Sequence, residues 1–165
     1  MGIIIDINVL SCVFSPGNNR HHEFEPVYKW IMIKKMGKPI YGGTKYKAEL
    51  SRMPRYLSLL NELSKQNRIV KIKDGIVDEI QEEVEAKLRE NNLLDCDDPH
   101  IIAITIASKC GLICTSDSRS HNCIKSRCLY PPYVNTPKIY STRCHEDLLY
   151  DQRLTTFSIK ECNVE

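Results

Sequence analysis

Two short runs without a single polar residue, Ile3-Ile4-Ile5 and Leu112-Ile113-Cys114, constrain this chain more than any other feature. A strand with one wet face alternates apolar and polar residues. A run that is apolar throughout is covered on both faces, as strands are inside a parallel sheet with helices above and below. Ile69 to Ile72 and Lys138-Ile139-Tyr140 read as two further strands.

The segments between these runs have helical character. Ile7 to Phe14 reads as a helical turn or short helix, and Ser15-Pro16-Gly17-Asn18-Asn19 as a turn. Phe24 to Met36 has helical spacing, with Val27, Trp30, Ile31 and Ile33 available for burial, and Gly37 and Pro39 close it. Tyr41-Gly42-Gly43 reads as a loop, and Thr44 as a cap for the segment carrying Glu49. Tyr56 to Ser64 places Leu57, Leu60 and Leu63 on one face. Asp74 is placed to cap a helix running to about Arg89, and Asn91-Asn92 stops it. Asp98-Pro99 is a strong helix start: Asp caps, and Pro at the first position loses no needed hydrogen bond. Ile101, Ile102, Ile104, Thr105, Ile106 and Ala107 make that helix nearly apolar, so it is expected to be buried, with Gly111 as its stop. Strands alternating with helices specify an α/β fold, a single domain with a central, mostly parallel sheet flanked by helices. After His145 the pattern is weak, and residues 146–165 read as a C-terminal extension of unassigned role.

The length of 165 residues suits one domain. No apolar run approaches the roughly 20 residues needed to cross a bilayer. Gly2 to Ile5 is too short for a signal peptide and is broken at once by Asp6. The expectation is a chain starting at Met1, staying in the cytoplasm, with its eight cysteines reduced. Zinc would need paired ligands at short spacing. His121, Cys123, Cys128, Cys144 and His145 offer neither a C-x-x-C pair nor a matched second pair, so the cysteines read as small apolar residues.

Net charge is +2, which does not by itself indicate a nucleic-acid binder. Its distribution is uneven. Lys29, Lys34, Lys35, Lys38, Lys45, Lys47, Arg52 and Arg55 crowd the first third, and Asp74 to Asp98 is acidic. Solvated helix faces would look the same as a polyanion-binding half beside a metal pocket.

Among the acids, Asp6 and Asp117 each stand just past a buried strand, and Asp98 begins a buried helix. These places converge on one edge of a parallel sheet, where ligands of such folds bind. Alone, each has a simpler reading: Asp6 and Asp98 as caps, Asp117 as a turn residue, Glu49 as a solvated charge. Together they conflict. Two carboxylates about 4 Å apart repel by about 4 kcal/mol at an effective dielectric near 20, so several need a cation or protons. Carboxylate-only ligands favour Mg²⁺ or Mn²⁺ over zinc.

In its motifs the chain resembles the PIN-domain family of nucleases. Ile4-Ile5-Asp6-Ile7-Asn8-Val9-Leu10 is similar to the family's first strand and acid. Glu49 in Lys47-Ala48-Glu49-Leu50-Ser51-Arg52 resembles its second acid. Asp98-Pro99-His100-Ile101-Ile102-Ala103 resembles the third, at a helix start, and Thr115-Ser116-Asp117 the fourth, at a strand end. The likeness covers residues 1–145, read as a PIN-like nuclease domain. Many members carry a further acid two residues after the fourth, where this chain has Arg119.

The resemblance implies cleavage of single-stranded RNA with Mg²⁺ or Mn²⁺. Asp6, Asp98 and Asp117 would bind the metal, and Glu49 would hold a second ion or orient water. Asn8, Thr115 and Asp97 are the candidates to orient these carboxylates from behind. Lys45, Lys47 and Arg52 are candidates to meet phosphates, and Tyr41, Tyr46 and Tyr56 to stack on bases, although core-edge packing explains at least two of the tyrosines. His21 and His22 read as exposed, and His100 as a core histidine with a satisfied hydrogen bond. Many bacterial members are toxins, which would bring an antitoxin or other protein inhibitor as partner, and relatives are often homodimers. The rival is a non-catalytic PIN-like module that binds RNA or protein. A small-molecule phosphatase is disfavoured because Asn8 stands where an Asp-x-Asp nucleophile pair needs its second acid. A nucleotide-binding domain is disfavoured because no Gly-rich phosphate loop exists.

Overall fold

A computed structural model describes residues 1–159; the last six residues of the C-terminal extension lie outside the described part. Five parallel strands form one sheet in the order β3-β2-β1-β4-β5. They are β1 (Gly2–Ile5), β2 (Lys38–Gly42), β3 (Val70–Ile72), β4 (Leu112–Cys114) and β5 (Lys138–Tyr140). Strands β1 and β4 are buried along their whole length, as their composition requires.

The chain starts in the middle of the sheet. It moves outward through β2 and β3 on one side, then returns to place β4 and β5 on the other. The winding therefore reverses between β1 and β4, which opens a crevice at their C-terminal ends. Ile4 pairs with Ile113 and Ile5 with Cys114. The next residues out, Asp6 and Thr115, stand at that crevice.

Eight α-helices are described: α1 (Leu10–Phe14), α2 (His21–Tyr28), α3 (Thr44–Ser51), α4 (Pro54–Lys65), α5 (Asp74–Glu90), α6 (Pro99–Ser108), α7 (Ser118–Ile124) and α8 (Gln152–Thr155). The wholly apolar α6 is buried nearly all round and packs on α5, β1, β2 and β3. Each fully buried Ile on it contributes about 1.5–3 kcal/mol. Segment 146–159 lies against the sheet's far end: Leu149 and Thr155 are buried, and the amides of Gly111 and Ser158 donate to Leu154 and Ser108 carbonyls. No described helix is long and apolar enough to cross a membrane.

Several expectations need correction. Strand β2 occupies the stretch read as a helix stop and loop, and Pro39 lies inside it, in register with Ile3. A central-strand proline breaks the usual rule because it cannot donate to a ladder. Helix α2 begins at His21, ahead of Phe24, and continues as a π-helical turn over Lys29–Ile33. That extra residue per turn rotates Ile33 to the surface, where it is 65% exposed. Thr44 does not cap α3; Gly43 does, with φ of 89°. A side chain there would be strained and its Cβ would meet Val77. Asp74 is the first residue of α5 rather than its cap. Helix α6 is ended by Lys109 in the left-handed conformation, not by Gly111. Finally, Cys96 and Cys123 form a disulfide, against the expectation of reduced thiols throughout.

Candidate active site

The site begins with Asp6. Strand β1 delivers it to the crevice, and its own amide continues the sheet by donating to the Cys114 carbonyl. The side chain is 4% exposed. One carboxylate oxygen accepts from the Thr115 hydroxyl at 2.9 Å, the other from the Asn8 amide at 3.5 Å. Burial, then the like charge of Asp98 and more weakly that of Glu49, push its pKa up to about 6.

Thr115 ties two of the acids together. Its buried hydroxyl donates to Asp6 and accepts from the Asp117 amide at 3.2 Å. The role expected for Asn8 falls to its backbone only; its side chain is exposed. Asp117 caps α7 by accepting from the Arg119 amide. The Arg119 guanidinium also grips it with two bonds, at 3.1 and 3.2 Å, and holds its carboxyl below the ordinary range.

Asp98 sits at the head of α6, yet its side chain makes no capping bond. The simple explanation for this residue, helix capping, therefore fails. Burial raises its pKa, and Asp117 and Asp97 add to that while Lys45 opposes it. Glu49, on α3, is shifted the same way by burial and by Asp98, with Lys45 and Arg52 opposing. Asp6, Glu49, Asp98 and Asp117 thus share one electrostatic neighbourhood.

The basic candidates divide. Lys45 donates to the Asp97 backbone carbonyl at 2.8 Å, which strings it across the mouth of the acids. The Asp97 side chain itself is exposed. Arg52 is exposed near Glu49. Lys47 is drawn away by Asp74, at 2.5 Å. Tyr41 and Tyr46 are buried, and Tyr46 donates to the Ile5 carbonyl, so neither presents a face for stacking. Tyr56 is bonded to Ser15. His21 meets the Cys12 carbonyl, and His22 pairs with Glu23 at the surface.

His100 departs from its expected role. It is completely buried in the second helical position of α6, and neither ring nitrogen has a hydrogen-bond partner. Each unpaired buried group of this kind costs about 1–3 kcal/mol. Its Nε2 faces Glu49 across 3.9 Å, too far for a hydrogen bond. Burial holds the ring neutral, with a pKa near 3. The sequence signal was present: one imidazole in the first turn of an otherwise apolar helix.

An all-carboxylate donor set suits a hard divalent cation. Among the described residues, however, no three His, Cys, Asp or Glu side chains are gathered closely enough to coordinate one. The acids repel one another, and Arg119 already neutralises Asp117. Beside them lies a groove of about 610 Å³, lined in part by Leu94, Asp97, Arg119 and the Cys96–Cys123 disulfide. No family model matches this chain, and no curated protein or solved structure is significantly similar to it.

Proposed function

We propose that this protein is a Mg²⁺- or Mn²⁺-dependent ribonuclease of the PIN-domain type, acting on single-stranded RNA. One observation carries the reading. A buried aspartate, Asp6, lies at the sheet's switch point with a strongly raised pKa and Asp98 as an uncapped like-charged neighbour. Carboxyls perturbed by burial together with a specific charged neighbour cluster at functional sites.

In this reading Asp6, Asp98 and Asp117 are the residues that would hold the ion, Asp117 only if released by Arg119. The bound ion would supply Lewis acidity at the phosphodiester and a water of lowered pKa. Glu49 would orient the attacking water or accept its proton. Thr115 keeps Asp6 aimed at the crevice. Lys45 and Arg52 meet backbone phosphates, contacts that are salt-dependent and indifferent to base sequence. The cytoplasm is the compartment this function expects, and an antitoxin-like inhibitor and a homodimer are the protein partners it carries. The Cys96–Cys123 bond stands against that compartment, since disulfides there are uncommon.

A second reading, a non-catalytic module that binds RNA or protein, is favoured by the ungathered acids and by the Arg119 grip on Asp117. Cleavage of labelled single-stranded RNA by the purified protein separates the two. The nuclease reading expects cleavage with Mg²⁺ or Mn²⁺ that EDTA and Asp98→Asn each abolish, with the mutant still folded. Full activity in a pure, folded Asp98→Asn protein would refute this site assignment.

A further inference from the structure

We propose that His100 is a positioning residue for Glu49, its buried imidazole donating Nε2–H to the Glu49 carboxylate when that side chain closes over it. The inference rests on the ribonuclease reading for its kinetic consequence, but not for the contact itself.

Three observations carry it. First, His100 is fully buried with both ring nitrogens unpaired, whereas buried polar groups are nearly always paired. Second, its Nε2 lies 3.9 Å from a Glu49 carboxylate oxygen. A movement of about 1 Å by the carboxylate brings the pair to hydrogen-bond distance. Third, Glu49 is free to make that movement: it is one-third exposed, and its carboxylate accepts no hydrogen bond among the described residues.

The surroundings fix which way the pair closes. His100 is held in the first turn of α6 and lies near the Tyr46 ring, 6.4 Å between centroids. Tyr46 is itself anchored to the Ile5 carbonyl at 2.7 Å. The imidazole is therefore the stationary partner and Glu49 the mobile one. Closure would place Glu49 on the same helix head that carries Asp98. A neutral imidazole has one donor nitrogen and one acceptor, and a carboxylate accepts only, so the contact selects the Nε2–H tautomer. The relation is that of a carboxylate held by an outer partner, the arrangement that orients ligands around metal sites.

The test combines a spectrum and a kinetic series on the full chain. Nitrogen-15 NMR of the His100 ring, with and without Mg²⁺, should show an Nε2–H tautomer. Its Nε2 proton should lie downfield in wild type relative to Glu49→Ala, which removes the acceptor. An Nδ1–H tautomer, or a spectrum identical in wild type and Glu49→Ala, overturns the proposal. This arm needs neither cleavage nor a folded His100 variant. Where wild type cleaves RNA, His100→Leu should lower kcat about 10- to 100-fold with little change in KM. His100→Gln, which keeps a donor, should recover part of that loss. His100→Leu should add nothing to Glu49→Gln. Undiminished kcat in a folded His100→Leu protein overturns it as well. A chain that never cleaves RNA yet shows the Glu49-dependent shift would refute the nuclease reading and leave the pairing standing.

Discussion

Asp6 concentrates the cost of the site in one side chain. A carboxyl whose folded pKa lies near 6, above its ordinary 3.8, favours folding fully only below 3.8. That contribution is lost as pH rises through about 6. Asp6→Asn is thus expected to stabilise the metal-free protein at pH 7 by about 2–3 kcal/mol and to change little at pH 4. Thermal melts at the two pH values check this, and equal gains at both would contradict it. Arg119 poses the opposite case. It is 80% exposed, so its grip on Asp117 contributes little to stability. Arg119→Gln should leave the melting temperature within a degree or two while tightening Mn²⁺ binding, read by calorimetry. Unchanged or weaker binding would show that the guanidinium does not compete for Asp117. Asp6, Asp98 and Asp117 were legible as positions because each stands at a recognisable strand end or helix start; Glu49, inside α3, carries no such mark. The Arg119 grip was not legible, since it depends on where a side chain turns after the backbone is set; for His100 the sequence marked a lone imidazole in an apolar helix but not the absence of partners for its ring.

The elements that were legible are those whose apolar pattern admits one reading. Strands β1 and β4 and helix α6 are apolar almost throughout, and nothing but burial suits them. Strand β2 was not, because Pro39, Gly42 and Gly43 are turn-formers whose roles here are set by close packing against β3 and α5. Cysteine pairing was hidden for a similar reason. Cys96 and Cys123 are 27 residues apart, and only the fold brings the loop ahead of α6 against α7. Closing a loop of that length stabilises the chain by about 3 kcal/mol in the chain-entropy account. Reduction should therefore lower the melting temperature by several degrees, and Cys96→Ser should reproduce the loss without added reductant. A melt insensitive to both would mean that the bond contributes nothing to folding. The same bond joins the segment leading to Asp97 and Asp98 to the helix capped by Asp117.

At the scale of the molecule, alternating strands and helices led to a parallel sheet, and the sheet has that form. Strand order was beyond the sequence, because every strand is short and nothing in its pattern names its partner. Yet strand order decides that Asp6 and Asp117 follow neighbouring strands. With β1 central, its neighbours come from distant parts of the chain, β2 soon after it and β4 only after α6. Contacts at long sequence separation form slowly, and domains fold as the chain emerges during synthesis. The β1–β2–β3 half can pair while residues beyond α5 are still being made. Asp6 then waits at an open sheet edge, without Thr115 to hold it. Any activity at these acids would consequently be withheld from the nascent chain and appear only when the last third of the protein docks, a timing built into the winding of the sheet.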